Sequence, residues 1–171
     1  KIDRMLGLAE QWRMPLVFYG EGGGGRPGDT DRLGMTGLDG PSFVQFAKLS
    51  GLVPVVGVVS GYCFAGNAAR LGVGDVIIAT KNASIGMGGP AMIEGGGLGV
   101  FKPEEGGPID MQVKSGVVDV RVADEPAAIA VAKKYLRFLT HNADYWTCVD
   151  QSLLRTILPA EHNYSYADGD Q

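Results

Sequence analysis

An α/β fold with largely parallel strands is the architecture that the amino-acid sequence predicts. Three observations point to it. Helical and strand patterns alternate along the chain. The strand segments are continuous β-branched runs, as in strands covered on both faces. The 27 glycines, more than twice the usual share of ~7%, cluster between apolar segments and form no low-complexity tract. Turns where backbone comes close to something need such residues.

The elements follow in order. Ile2, Met5, Leu6, Ala9 and Trp12 share one helical face, and Pro15 follows as a stop signal. Leu16 to Tyr19 reads as a strand. Pro41 to Leu49 reads as a helix, with Pro41 in its first turn and Gly51 past its end. Val53 to Val59 is a buried strand, Asn67 to Leu71 a short helix, and Val76 to Ala79 another buried strand. After a glycine-rich excursion, Val117 to Val122 alternates as a strand. Asp124 caps a helix to Thr140, in which Ile129, Ala132, Tyr135, Leu136 and Leu139 share a face. Asp150 to Ile157 reads as a further helix, broken by Pro159. A domain spans 1–160, and the polar 161–171 is a tail or linker.

With 171 residues the chain fits one domain, which buries roughly 70% of its unfolded surface. A net charge of −4 offers no electrostatic case for nucleic acid or an anionic membrane. No apolar run approaches the ~18 residues of a membrane span. Cys63 and Cys148 show no metal-ligand spacing, and the default compartment is a reducing cytoplasm.

Gly20, Gly22 and Gly25 match G-x-G-x-x-G after a strand. The context argues against a dinucleotide site. Such a site opens a helix inside the motif, whereas Pro27 and Gly28 would break one here. A second glycine element is more informative. The strand ending at Val59 runs into Ser60-Gly-Tyr-Cys-Phe-Ala-Gly-Asn-Ala-Ala69, where small residues open a helix after a sharp turn. Two strand ends are thus followed by residues that expose peptide N–H groups. Two such donors aimed at one point make an oxyanion hole.

The segment "GYCFAGNAA" (61–69) resembles the helix entry of the crotonase superfamily. "EGGGGR" (21–26) resembles the Ser-Gly-Gly-Ala-Arg turn of one branch, the carboxyltransferase component of biotin-dependent acyl-CoA carboxylases. "GMGGPAMIE" (86–94), the segment 103–139 and "LLRTILPAEHNYSYAD" (153–168) resemble later segments of the same branch, in order. The resemblance implies a ClpP/crotonase-like spiral of ββα units, here an incomplete N-terminal half. It implies a carboxyltransferase that moves a carboxyl group from carboxybiotin to an acyl-CoA through a thioester enolate. The freed ureido nitrogen takes the α-proton in that family. The backbone N–H groups of Gly25 and Gly66 match its thioester hole, with Gly24, Ala65 and Asn67 as neighbours. Gly88, Gly89 and Pro90 match the wall near the acyl chain. Arg26 either contacts CoA or braces the loop. Implied partners are a biotin carboxyl carrier, a biotin carboxylase component and further copies of the chain. The fragment alone is expected to be inactive, because the ureido hole belongs to the C-terminal half.

The chain departs from the family at Gly66-Asn67, where Gly-Gly is common, at Gly25, where Ala is common, and in the tail "AEHNYSY". Asn67 either crowds biotin or adds a donor. Two alternatives stay open: a non-catalytic acyl-CoA-binding or assembly fragment, and a crotonase-type hydratase or isomerase. Ala69 stands where a hydratase needs a glutamate. Glu21 and Glu94 read as acids, solvated carboxylates or loop braces, Cys63 as a core residue, and His141 and His162 as surface or packing residues.

Overall fold

In the computed structural model, residues 1–22 and 41–140 of the unit Lys1–Thr140 are described. In chain order the elements are α1 (Ile2–Trp12), β1 (Leu16–Tyr19), α2 (Pro41–Leu49), β2 (Val55–Val59) and β3 (Tyr62–Phe64). Then come α3 (Gly66–Leu71), β4 (Val76–Thr80), β5 (Ser84–Gly86), α4 (Pro90–Gly95), a 3₁₀ turn (Pro103–Glu105), α5 (Ile109–Lys114), β6 (Val120–Val122) and α6 (Glu125–Thr140). The expected helix 150–157, the boundary at 160/161, Cys148, His141 and His162 lie outside the described residues.

The main sheet is wholly parallel, in the order β1-β2-β4-β6. A second sheet pairs β3 with β5, also parallel, and Gly22 bridges to Cys63 at its edge. Each of β1, β2 and β4 therefore turns into a partner in the second sheet: Gly22, β3 and β5. This strand-strand repeat, with a helix after β3 and after β5, is the expected spiral of ββα units.

The β-branched runs are buried on both faces because side chains alternate across a strand. Val56, Val58, Val76 and Ile78 pack against Ala128 and Ala132 of α6. Val59, Ile77 and Ala79 face the other way, onto Leu71 of α3 and Cys63 and Ile85 of the second sheet. Val55 joins Leu6, Ala9, Phe46 and Leu49 of α1 and α2. Gly57 makes the α3 side possible: a Cβ there would lie 2.6 Å from Leu71 Cδ1. Leu71 is thus fully buried against the sheet, a contact that stabilises by about 1.5–3 kcal/mol.

Aspartates pin the strand register. Val55 N–H donates to Asp75 Oδ2 at 2.7 Å, and Ile77 N–H donates to Asp119 Oδ2 at 2.7 Å. Asp124 caps α6 as expected, accepting from Ala127 N–H at 2.9 Å.

Two boundaries differ from the sequence reading by two residues or more. β2 starts at Val55, because Pro54 has no N–H to give a ladder. β6 shrinks to Val120–Val122, because the Val117 and Val118 amides both donate to Gln112 O and close α5. The short β3, β5, α4 and α5 were not predicted. Three to six residues carry too little periodicity, and α4 buries none of its residues. Among the described residues, no helix is long and apolar enough to cross a membrane.

Candidate functional site

The site lies at the carboxyl ends of β1 and β2, which run side by side with Tyr19 opposite Val58. Beyond β1 the chain is held in three steps. Gly20 N–H donates to Val58 O at 2.9 Å. The Glu21 carboxylate accepts from Ser60 N–H at 2.7 Å and Gly61 N–H at 3.1 Å. Gly22 N–H donates to Tyr62 O at 2.6 Å, and its own carbonyl accepts from Phe64 N–H at 3.0 Å. Glu21 is therefore a loop brace, one of its three expected readings.

The second glycine element then makes its turn at Ala65, with φ 53° and ψ −122°. That left-handed region is rarely adopted by an L side chain, and it costs about 1–3 kcal/mol. Ala65 N–H donates to Gly86 O at 3.1 Å. α3 begins at the next residue. Its first helical bond is Ala69 N–H to Ala65 O at 2.9 Å, and no described residue accepts from the amides of Gly66, Asn67 or Ala68. These are the orphan donors of a helix start.

Asn67 looks back to the first element. Its Nδ2 donates to Glu21 O at 2.8 Å, and its Oδ1 accepts from Arg70 Nη1 at 3.3 Å. Arg70 is in turn held by α2: Nη2 donates to Ser42 Oγ at 2.8 Å, and the guanidinium lies 4.2 Å from the centroid of Phe43. Phe43 also meets Gly66, where an added Cβ would lie 3.0 Å from its Cζ.

Of the sequence-predicted residues, Ala65, Gly66 and Asn67 stand together at this turn. Gly89 caps α4 and Pro90 opens it; both follow β5, whose Gly86 carbonyl binds Ala65. The Phe64 ring lies under Gly89, 3.6 Å from where a Cβ would be, and Gly88 sits against Ile93. Gly24, Gly25 and Arg26 lie outside the described residues. Glu94 is exposed on α4. Ser42, Phe43 and Arg70 were not anticipated, since nothing local in α2 or α3 marks a pair of residues 28 apart as neighbours.

Side-chain chemistry at the turn is quiet. Cys63 is fully buried, and burial, with the negative charge of Glu21, pushes its thiol up to about 12. It is neutral at physiological pH and is the core residue expected. Tyr62 donates to the Glu104 carboxylate; that hydrogen bond raises the Tyr62 hydroxyl and lowers the Glu104 carboxyl. This pair borders a cleft of about 490 Å³ with Lys81 and Asp110. Another cleft, about 340 Å³, lies at the opposite ends of the strands, beside Val53 and Asp75. Among the described residues no group of three His, Cys, Asp or Glu is placed to hold a metal.

Residues 1–168 match the carboxyl transferase domain family. The chain is 34% identical over 131 residues to the methylmalonyl-CoA carboxyltransferase 12S subunit of Propionibacterium freudenreichii subsp. shermanii, covering 75% of this chain and 24% of that protein. It is 27% identical to the propionyl-CoA carboxylase beta chain of Rhodococcus erythropolis, over 89% of this chain and 32% of that protein. The chain thus spans about a quarter to a third of these relatives' length. Among solved structures, a single-chain, multi-domain long-chain acyl-CoA carboxylase superposes with a TM-score of 0.77 at 54% identity, over 92% of this chain and 16% of that one. The transcarboxylase 12S hexamer, with methylmalonyl-coenzyme A and methylmalonic acid bound, superposes with a TM-score of 0.67 at 26% identity, over 93% of this chain and 32% of that one.

Proposed function

This chain belongs to the carboxyl transferase domain family, and from that premise we propose that it holds the enolate of an acyl-CoA thioester for carboxylation in a biotin-dependent carboxylase. The observation that carries this reading is the Gly66 amide. It follows a strained turn at the end of a parallel strand, beside the exit of a second strand, and donates to no described residue. Negative charge develops on the thioester oxygen as the α-proton leaves. A preorganised N–H aimed at that oxygen lowers the barrier by about 3 kcal/mol.

Gly25 would supply the second donor, three residues beyond the anchored Gly22, with Gly24 beside it. Arg26 would contact CoA or brace the same segment. Gly88, Gly89 and Pro90 would wall the acyl chain. The α3 amides that donate to no described residue suit a carbonyl or ureido oxygen, and they fit either reactant. When bound, carboxybiotin supplies activated carbon dioxide and a nitrogen able to accept the proton. Glu21 is engaged with two amides and Cys63 is neutral, so neither serves as the base.

The 54% identity to a long-chain acyl-CoA carboxylase favours a long acyl group. The hexamer formed by the 12S relative favours assembly of several copies. A biotin carboxyl carrier and a biotin carboxylase component complete the proposed cytoplasmic system.

The test uses the complete polypeptide that carries this chain. With biotin carboxylase and biotinylated carrier, labelled bicarbonate is expected to enter acyl-CoA, and calorimetry is expected to show binding of acetyl-, propionyl- or long-chain acyl-CoA. Absence of both carboxylation and binding with all three acyl-CoAs would refute the reading.

A further inference from the structure

We propose that Asn67 is a positioning residue: its carboxamide sets where the chain leaving β1 stands relative to the first turn of α3. The inference rests on the reading of the Gly66 amide as an oxyanion donor. Hydrogen bonds converge on Glu21 from one direction. Asn67 Nδ2 holds the Glu21 carbonyl at 2.8 Å, while Ser60 and Gly61 hold its carboxylate. All three donors belong to the second glycine element. They tie the residue just before Gly22 to both ends of that element, the turn after β2 and the start of α3.

The carboxamide has one orientation open to it. Its neighbour on one side, a backbone carbonyl, only accepts; its neighbour on the other, the Arg70 guanidinium, only donates. Turning it over would lose both bonds. Arg70 cannot follow freely, because Ser42 and the Phe43 ring hold it from α2. Asn67 thus links β1 to α3 with support from a third element. Its own backbone N–H, like that of Gly66, donates to no described residue. Donors to an oxyanion act at 2.7–3.1 Å, and a misplacement of about 1 Å from outside the reacting groups costs about a hundredfold in rate. A loosened Asn67 should therefore slow the chemical step without weakening capture of CoA.

The informative variants are Asn67→Asp and Asn67→Ala in the complete polypeptide. Aspartate keeps the size and the Arg70 partner; it removes the donor and sets an anion against the Glu21 carbonyl. For both variants kcat is expected to fall about tenfold to a hundredfold, with the acyl-CoA KM changed less than about twofold. Amide hydrogen exchange gives a second readout that needs no turnover. In the unaltered protein the Ser60 and Gly61 amides, though near solvent, should exchange slowly; in both variants they should exchange faster. Unchanged kcat, or a raised KM with kcat retained, would overturn the proposal. So would unprotected Ser60 and Gly61 amides in the unaltered protein, a result that stands even if a variant fails to fold. If the unaltered protein carboxylates no acyl-CoA, the functional reading fails, while exchange still reports on the clamp.

Discussion

Relaxing the turn at Ala65 should stabilise the chain while slowing the reaction. Ala65 sits at φ 53° and ψ −122°, where its Cβ makes the backbone unfavourable by about 1–3 kcal/mol. Ala65→Gly removes that strain. Against this, glycine adds about 0.4–1 kcal/mol of unfolded-chain entropy. Half-burial of the methyl is worth roughly 0.4 kcal/mol, half of the value for a fully buried group. The net expectation is a gain of about 1 kcal/mol. Ala65→Val moves the other way, since a β-branched residue at positive φ is a genuine outlier, and it should lose at least about 1 kcal/mol. Equilibrium unfolding in urea reads both as shifts of the midpoint at constant slope. In the complete polypeptide kcat should fall for Ala65→Gly if the amides of Gly66 and Asn67, which this turn positions, are the oxyanion donors proposed above. A loss of stability of 1 kcal/mol or more for the glycine variant would refute the strain argument, as would a valine variant equal to the parent.

Three further outcomes test the frame around the site. At Gly107 an added Cβ would lie 1.8 Å from the Ile85 carbonyl oxygen, where the Ile85 N–H donates to Gly107 O at 2.8 Å and Gln112 Nε2 donates to Ile85 O at 2.7 Å. Overpacking plus lost backbone bonds should make Gly107→Ala less stable by about 3 kcal/mol or more, and an unchanged unfolding midpoint would contradict this. Cys63 carries a pH signature. Its thiol ionises near 9 when unfolded but near 12 in the fold. Above pH 9 the unfolded chain therefore binds fewer protons than the native one, so this contribution to stability is whole below pH 9 and is lost as pH rises toward 12. Stability measured from pH 8 to 11 should fall more steeply in the parent than in Cys63→Ser; parallel curves would count against the burial argument. In a Cys148→Ser background, iodoacetamide at pH 8 should leave the folded protein unmodified.

The elements most legible in the sequence were those whose pattern is local and long. α1, β1, α2 and α6 appear where helical spacing, β-branched runs and the cap at Asp124 placed them. Their faces follow only in part: on α1 Leu6 and Ala9 are buried while Ile2, Met5 and Trp12 are exposed, and on α6 Ala132 is buried while Ile129 and Leu139 are exposed. β3 and β5 were invisible because three residues cannot show a period, yet they build the sheet that carries Gly22 and Phe64. β6 was overextended because alternation at 117–119 mimics a strand, while hydrogen bonds to Gln112 close a helix there.

At the site, the small residues of 65–69 were readable as a sharp entry into a helix, because glycine and alanine at a strand end have few other uses. The family resemblance of the glycine segments was readable for the same reason. Their mutual fixing was not. Glu21 could be an acid, a solvated carboxylate or a brace by composition alone; only the arrival of the Ser60 and Gly61 amides at its carboxylate decides among them. Asn67 could crowd biotin or add a donor by sequence alone; that its amide lies between the Glu21 carbonyl and the Arg70 guanidinium could not be read there. Sequence records which groups each residue can offer and the local shape its neighbours permit. Partners that lie 39 or 46 positions away are chosen by the packing of α2, α3 and two sheets, so those bonds exist only once the chain has closed on itself.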